Sequence, residues 1–106
     1  MAESPELLSI GVEHQDDRLL MTLRGELDLS TAPALADALR GANSEVVVDL
    51  AALEFIDASG LNVFAIAGQR LERNGDRLAI VNANPLARRS FELTGLEHLL
   101  SGSDAP

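Results

Sequence analysis

The 106-residue chain contains no cysteine, no lysine, no tyrosine and no tryptophan. Without cysteine there is no disulfide framework, no thiol chemistry and no cysteine-held zinc or iron–sulfur site, which suits a reducing compartment. Without lysine, all eight basic side chains are arginine, and Schiff-base chemistry, P-loop nucleotide binding and the lysine of phospho-aspartate receivers fall away. Three phenylalanines are the only aromatics, so the core has to be built from aliphatic side chains. No apolar run approaches the roughly 20 residues that cross a bilayer. The opening MAESPELLSI carries acids where a secretory leader carries bases; the expected location is cytoplasmic, with no membrane partner. The formal net charge of −9 argues against nucleic acid, whose binding is driven by cations that displace counterions. An acidic surface either steers the protein towards basic patches on partner proteins or only keeps it soluble; the composition leaves both open.

What is present is globular in composition, 46% hydrophobic and 24% charged, in a length that fits one domain. A single domain over 1–106 is expected, with an ordered core of about 7–100 and frayed ends at 1–6 and 101–106. Leu8, Ile10 and Val12 alternate with Ser9, Gly11 and Glu13. Beyond a polar turn at Gln15, Asp16 and Asp17, Leu19, Met21 and Leu23 take one face and Thr22 and Arg24 the other. This period of two predicts an antiparallel hairpin. Ser30-Thr31-Ala32-Pro33 reads as a helix start with hydroxyls at the cap and proline in the first turn. Ala32, Leu35, Ala36 and Leu39 would be its buried stripe and Gly41 its end.

Val46 to Val48 predicts a strand covered on both faces, which hands over to a short loop. A second helix is expected from about Ser59 to Asn74, stopped by Gly75. Leu61, Val63, Phe64, Ile66, Ala67 and Leu71 surround so much of it that it should be the most buried helix. Leu78 to Val81 reads as a short buried strand, and Asn84-Pro85 opens a third helix ended by Gly95. Leu96, Leu99 and Leu100 are expected to pack back as a short strand or turn. The order β-β-α-β-α-β-α predicts an α/β domain, a mixed sheet of four to five strands with helices packed against it. The strand–helix–strand unit over 46–81 puts the 55–60 loop at the carboxyl edge of its strand, where open α/β sheets place their sites.

That loop carries the main candidate. In the run from Val46 to Phe64, VVVDLAALEFIDASGLNVF, Ser59 falls in the first turn of a helix beside Asp57. Free N–H groups and the helix dipole at that position receive a serine oxygen, or a phosphate that replaces its proton. Taken on spacing alone, a plain helix cap is the simpler account. The segment also resembles the phosphoacceptor motif of STAS domains, the family of bacterial anti-sigma factor antagonists, which is written Asp-Ser-Ser-Gly-Leu with the second serine phosphorylated. Here it stands as Asp57-Ala58-Ser59-Gly60-Leu61. The resemblance covers nearly the whole chain, in length, in element order and in a second segment, Gly25 to Leu35 (GELDLSTAPAL). Ala58 departs from the motif; a small residue keeps the loop shape and leaves Ser59 as the only candidate acceptor.

The resemblance implies a binding protein and not an enzyme, with no catalytic residue, no cofactor and no metal. Ser59 would be the phosphoacceptor. Asp57, Ala58, Gly60 and Leu61, and from the second segment Asp28, Ser30 and Thr31, would be the partner-binding residues. Taken alone, Asp28 reads as a solvated turn acid. The implied partners are an anti-sigma factor that is a serine kinase of the GHKL ATPase type and a serine phosphatase. The unphosphorylated domain would sequester the kinase and free a sigma factor. A STAS scaffold or subunit of a stress-signalling or lipid-transport complex, without a cognate kinase, is the competing reading. Two enzyme readings are weaker. A receiver-like magnesium pocket of Asp28, Asp49 and Asp57 lacks its lysine and follows an initial hairpin. A triad of Ser59, Asp57 and His14 or His98 lacks the Gly-x-Ser-x-Gly elbow. Arg88-Arg89 reads as a solvated face near a helix end.

Overall fold

The computed structural model describes residues 7–101; of the frayed ends expected at 1–6 and 101–106, all but Ser101 lie outside them, and Ser101 donates its N–H to the Ile80 carbonyl at 2.8 Å. Strands β1 (Leu8–His14) and β2 (Arg18–Leu27) form the hairpin, antiparallel from Leu8↔Gly25 to His14↔Leu19. The chain continues through α1 (Ala32–Arg40), β3 (Glu45–Ile56), α2 (Ala58–Arg73), β4 (Leu78–Val81), α3 (Pro85–Leu93) and a 3-10 turn at Glu97–Leu99. β3 runs parallel to both β2 and β4, so the sheet is mixed, and its spatial order is β1-β2-β3-β4. The element order expected from the sequence is the one observed. Of the four or five strands allowed for, four form among the described residues; Leu100 adds a single parallel bridge to Ile80.

Because spatial order repeats chain order, both parallel crossovers step the same way across the sheet, and right-handed connections then put both crossover helices on one face. The core follows. Leu19, Met21 and Leu23 of β2, Val46, Val48 and Leu50 of β3, and Leu78 and Ile80 of β4 join Leu35, Leu39, Leu61, Phe64, Leu71 and Phe91 in one buried cluster. The rings of Phe64 and Phe91 lie 5.8 Å apart and couple α2 to α3 as a tilted aromatic pair. Arg70 reaches from α2 to the end of α1, donating to the Leu39 and Ala42 carbonyls at 2.6 and 2.9 Å. It thereby satisfies acceptors that the helix end leaves open.

Three expectations need correction. Val46 and Val48 are buried, but Val47 is only half-buried, because helices cover one face of the sheet and not two. The supposed loop after Val48 is strand: β3 is twelve residues long and pairs with β2 as far as Leu27↔Ile56. Two register shifts hide this in the sequence. In each, β3 carries one more residue than β2, between Asp49 and Ala52 and again between Leu53 and Phe55, and an extra residue breaks the alternation by which strands are recognised. The Asp49 carboxylate accepts the Ala51 N–H at 2.8 Å inside the first bulge. Opposite the second lies Gly25, with φ of 105° and the Leu7 carbonyl oxygen in the space a Cβ would need. Finally, α2 buries a single stripe of Leu61, Phe64, Ala67, Gly68 and Leu71. Ile66 is 61% exposed, so the helix is not wrapped by core, and on α1 Ala36 is likewise only partly buried. With six buried residues against three in α1 and two in α3, α2 is nonetheless the most buried helix, as expected.

Candidate functional site

Two loops meet at the carboxyl edge of the sheet. β2 and β3 end side by side at Leu27↔Ile56, with neighbouring strands about 4.8 Å apart. The Asp57 N–H donates to the Leu27 carbonyl at 3.1 Å, stitching the β3–α2 turn to the β2–α1 loop. Gly60, in the first turn of α2, rests on the same residue. A Cβ there would lie 2.5 Å from Leu27 Cγ and 2.6 Å from Leu27 Cδ2, so glycine is what allows the helix start to settle onto the strand end.

Asp57 is the N-cap of α2. Its Oδ1 accepts the N–H groups of Ser59 at 2.9 Å and Gly60 at 3.3 Å, and its carbonyl accepts the Leu61 N–H at 3.1 Å. The helix-start donors that the sequence reading offered to a serine oxygen or a phosphate are thus already taken by a carboxylate. Ser59 is left at the second helical position. The residue is half-buried, its hydroxyl has no hydrogen bond among the described residues, and no buried side-chain oxygen there lacks a partner. Ala58 is exposed beside it. Gly60 and Leu61, expected on the contact surface, are corrected: Gly60 is buried and Leu61 is 6% exposed in the core. They hold the site from below and do not face outward.

The second loop is ordered by Asp28. Its Oδ1 accepts the Ser30 hydroxyl at 2.9 Å, the Ser30 N–H at 3.0 Å and the Thr31 N–H at 3.2 Å. The Thr31 hydroxyl turns inward, accepting the Asp28 N–H and donating to the Glu26 carbonyl, both at 2.9 Å. Although Thr31 occupies the N-cap position of α1, its side chain caps nothing in the helix; its hydroxyl braces the loop. Asp28 and Ser30 are the outward members of this group. The Ser30 hydroxyl above all lowers the Asp28 carboxyl from its ordinary value; desolvation opposes it, and the Thr31 N–H and hydroxyl add to the lowering. A carboxyl titration followed by NMR is expected to place Asp28 below an ordinary aspartate, and Ser30→Ala to move it back up. Because the folded value lies below the unfolded one, whatever these bonds contribute to stability is complete at neutral pH and is lost as pH falls through the folded value. An unchanged midpoint in Ser30→Ala would remove the hydroxyl as the cause.

Sequence reasoning missed two side chains on this rim. Leu29, next to Asp28, is 77% exposed, and Phe55, near the end of β3, is 50% exposed. The available signal was an apolar residue in a loop that no periodic pattern absorbs. The enzyme readings do not survive the geometry. Asp49 pairs with Thr22 and Val81 in the middle of the sheet, and at roughly 3.3 Å per strand residue it lies some 20 Å from Asp57. His14 pairs with Leu19 at the opposite end of the sheet, and His98 lines a groove with Gly68 and Glu72 of the far half of α2 and with Arg77 beyond it.

Comparison with known proteins agrees with this frame. The family model described as "Mlab, STAS domain" matches residues 10–101. An anti-sigma-B factor antagonist of Staphylococcus epidermidis is 31% identical over 97 residues, 88% of this chain and 90% of its own length. The anti-sigma-F factor antagonist RsfB of Mycobacterium tuberculosis is 26% identical over 98 residues, 89% of this chain and 80% of its own. The crystal structure of an anti-sigma factor antagonist from Mycobacterium paratuberculosis superposes with a TM-score of 0.79 at 30% identity, covering 95% of this chain and 91% of that one. On the match along most of its length, and on the fold it shares with these relatives, the chain belongs to the STAS-domain family of anti-sigma factor antagonists.

Proposed function

We propose that this protein antagonises an anti-sigma factor and that its docking is switched by phosphorylation of Ser59. Unphosphorylated, it sequesters an anti-sigma factor that is a GHKL-type serine kinase, and a sigma factor is released. The kinase transfers the terminal phosphoryl group of its bound nucleotide to Ser59 Oγ, the complex separates, and a serine phosphatase resets the switch. The observation that carries this reading is a serine hydroxyl that has no hydrogen-bond partner among the described residues and is not sealed from water, in a helix turn fixed by Asp57. Asp57, Ala58, Asp28 and Ser30 would be its contact surface. The protein is a substrate and a ligand here, not an enzyme. Among the described residues the strand order never reverses, so the sheet there has no switch-point crevice of the kind in which open α/β sheets hold small molecules. Its grooves of about 210 and 250 Å³ fall below the range of roughly 300–1,000 Å³ usual for ligand pockets. No helix among the described residues is long and apolar enough to cross a membrane.

The test is incubation with a nucleotide-loaded GHKL-type serine kinase, sought first among the products of neighbouring genes, followed by peptide mass analysis. One phosphate on Ser59 is expected, and Ser59→Ala should still bind the kinase while remaining unmodified. Binding with no modification at Ser59 would favour the competing role, a STAS subunit without a cognate kinase, which the Mlab description of the matching model keeps in view. Absence of both binding and modification rejects the antagonist reading.

A further inference from the structure

β4 is too short to cover β3. The two pair only from Val46↔Leu78 to Asp49↔Val81, whereas β3 continues to Ile56. At Asn82 the backbone turns left-handed, with φ of 60°, and Pro85 starts α3, so the chain leaves the sheet before β3 ends. Among the described residues no strand pairs with residues 51–56 on that side; β2 holds only the other side. Facing the open edge is α3, which stands off far enough to leave a groove of about 210 Å³. Leu53, Glu54 and Phe55 line one wall and Leu86, Ala87 and Ser90 the other. Phe55 is 50% and Leu86 80% exposed. The Leu53 carbonyl faces this edge, where it accepts a long 3.5 Å bond from Asn84 Nδ2. The oxygen of that same amide is committed to capping α3 through the Ala87 N–H at 2.8 Å.

We propose that the open edge of β3 over residues 51–56 is a peptide-docking site that takes an extended, basic segment of a partner protein as an added strand. Three observations fix the occupant. An uncovered row of strand backbone is a template for another strand and for little else. The groove is too small for a drug-sized ligand but accommodates one or two side chains projecting from alternate positions of such a strand. The one charged residue that lines it is Glu54, in a chain of net charge −9, so arginine or lysine on the incoming segment is complementary. A second copy of this chain fits poorly. Pairing the same edges about a two-fold axis through position 54 would set Glu54 against Glu54, and like charges facing each other across strands are unfavourable. The site requires neither Ser59 nor a kinase, so its fate is independent of the proposed switch.

The test is an amide NMR titration of the whole protein with a capped heptapeptide of alternating arginine and valine. Saturable shifts are expected at Ala51–Ile56 and Leu86–Ser90, with Kd below about 1 mM. Combined Phe55→Ser and Leu86→Ser should weaken binding about tenfold or more with an unchanged thermal melt, since both side chains are largely exposed. Of the two alternating sets of N-methyl groups on the peptide, one should abolish binding and the other be tolerated, because only one edge of an added strand pairs. The proposal is overturned by shifts at the equally open edge of β1 in place of β3, by equal binding of a glutamate–valine peptide, or by tolerance of both N-methyl sets. Lack of saturation at about 5 mM overturns it too, as does a peptide-independent dimer that shifts residues 51–56.

Discussion

Phosphorylated Ser59 is expected to bind the anti-sigma factor about 100-fold more weakly than the unmodified protein, while its thermal midpoint moves by only a few degrees. The two effects separate because the new charge meets different surroundings in the free and the docked protein. Phosphate adds about 1.5 to 2 negative charges in the first turn of α2. The helix dipole favours it there by roughly 0.3–1 kcal/mol. Asp57 opposes it, since the Asp57 carboxylate already holds the Ser59 and Gly60 N–H groups at 2.9 and 3.3 Å and leaves them no proton to offer. In the free protein, water and salt screen the repulsion, and the small residual nearly cancels the dipole term. Docking removes that water. The phosphate would then face Asp57 and Asp28 under a partner surface shaped for a hydroxyl, and like charges brought together at an interface cost several kcal/mol. Release therefore follows from blockade at one rim and needs no refolding of the sheet. Titration calorimetry with the kinase, alongside melts of the two forms, measures both quantities. An affinity loss under about threefold, or amide shifts spread through β1 to β4 on phosphorylation, would count against this account. Asp57→Asn, which keeps an oxygen for the helix cap and drops the charge, should return part of the lost affinity.

The sequence carried the hairpin, the helices and the position of the Ser59 turn because each is set by local signals. Leu19, Met21 and Leu23 alternate cleanly, and Asn84-Pro85 and Asn74-Gly75 mark helix ends at which the chain does change direction. The length of β3 was not legible. Its pairing with β2 is long-range; the first bulge shifts the buried residues from even positions, Val46, Val48 and Leu50, to odd Leu53, and the second returns the pattern to even Ile56. The open edge that results was invisible for the same reason. At the site, the spacing of Asp57, Ser59 and Gly60 is compatible with either side chain as the cap; only coordinates assign the donors to Asp57. Likewise GELDLST placed a hydroxyl at the start of α1, and the fold instead spends Thr31 on bracing the Asp28 loop. Leu61 was misread because Ala58 and Ser59 of the same motif reach solvent, while helical geometry turns the fourth residue of α2 into the core.

Gly60→Ala is expected to cost about 2 kcal/mol, a drop of roughly 10 °C in the thermal midpoint for a domain of this size. Alanine should gain helix propensity over glycine, so the sign comes from packing. The added methyl would stand 2.5 and 2.6 Å from Leu27 Cγ and Cδ2 and 3.2 Å from Ile56 Cγ1. Leu27 is fully buried and has nowhere to swing. The start of α2 must lift off the end of β2, stretching the Asp57 N–H to Leu27 carbonyl bond of 3.1 Å that fixes the Ser59 turn against the Asp28 loop. Leu27→Ala alone should cost about 2–5 kcal/mol through the cavity it leaves. In the double variant that cavity receives the new methyl, so the pair should be less destabilising than the sum of its parts by about 1–3 kcal/mol. Urea unfolding of the four proteins closes the cycle. Simple additivity would show that Leu27 is not what makes glycine necessary at position 60. If the coupling appears, phosphorylation of Gly60→Ala by the kinase should also slow, because the same contact that stabilises the fold sets where the Ser59 hydroxyl stands.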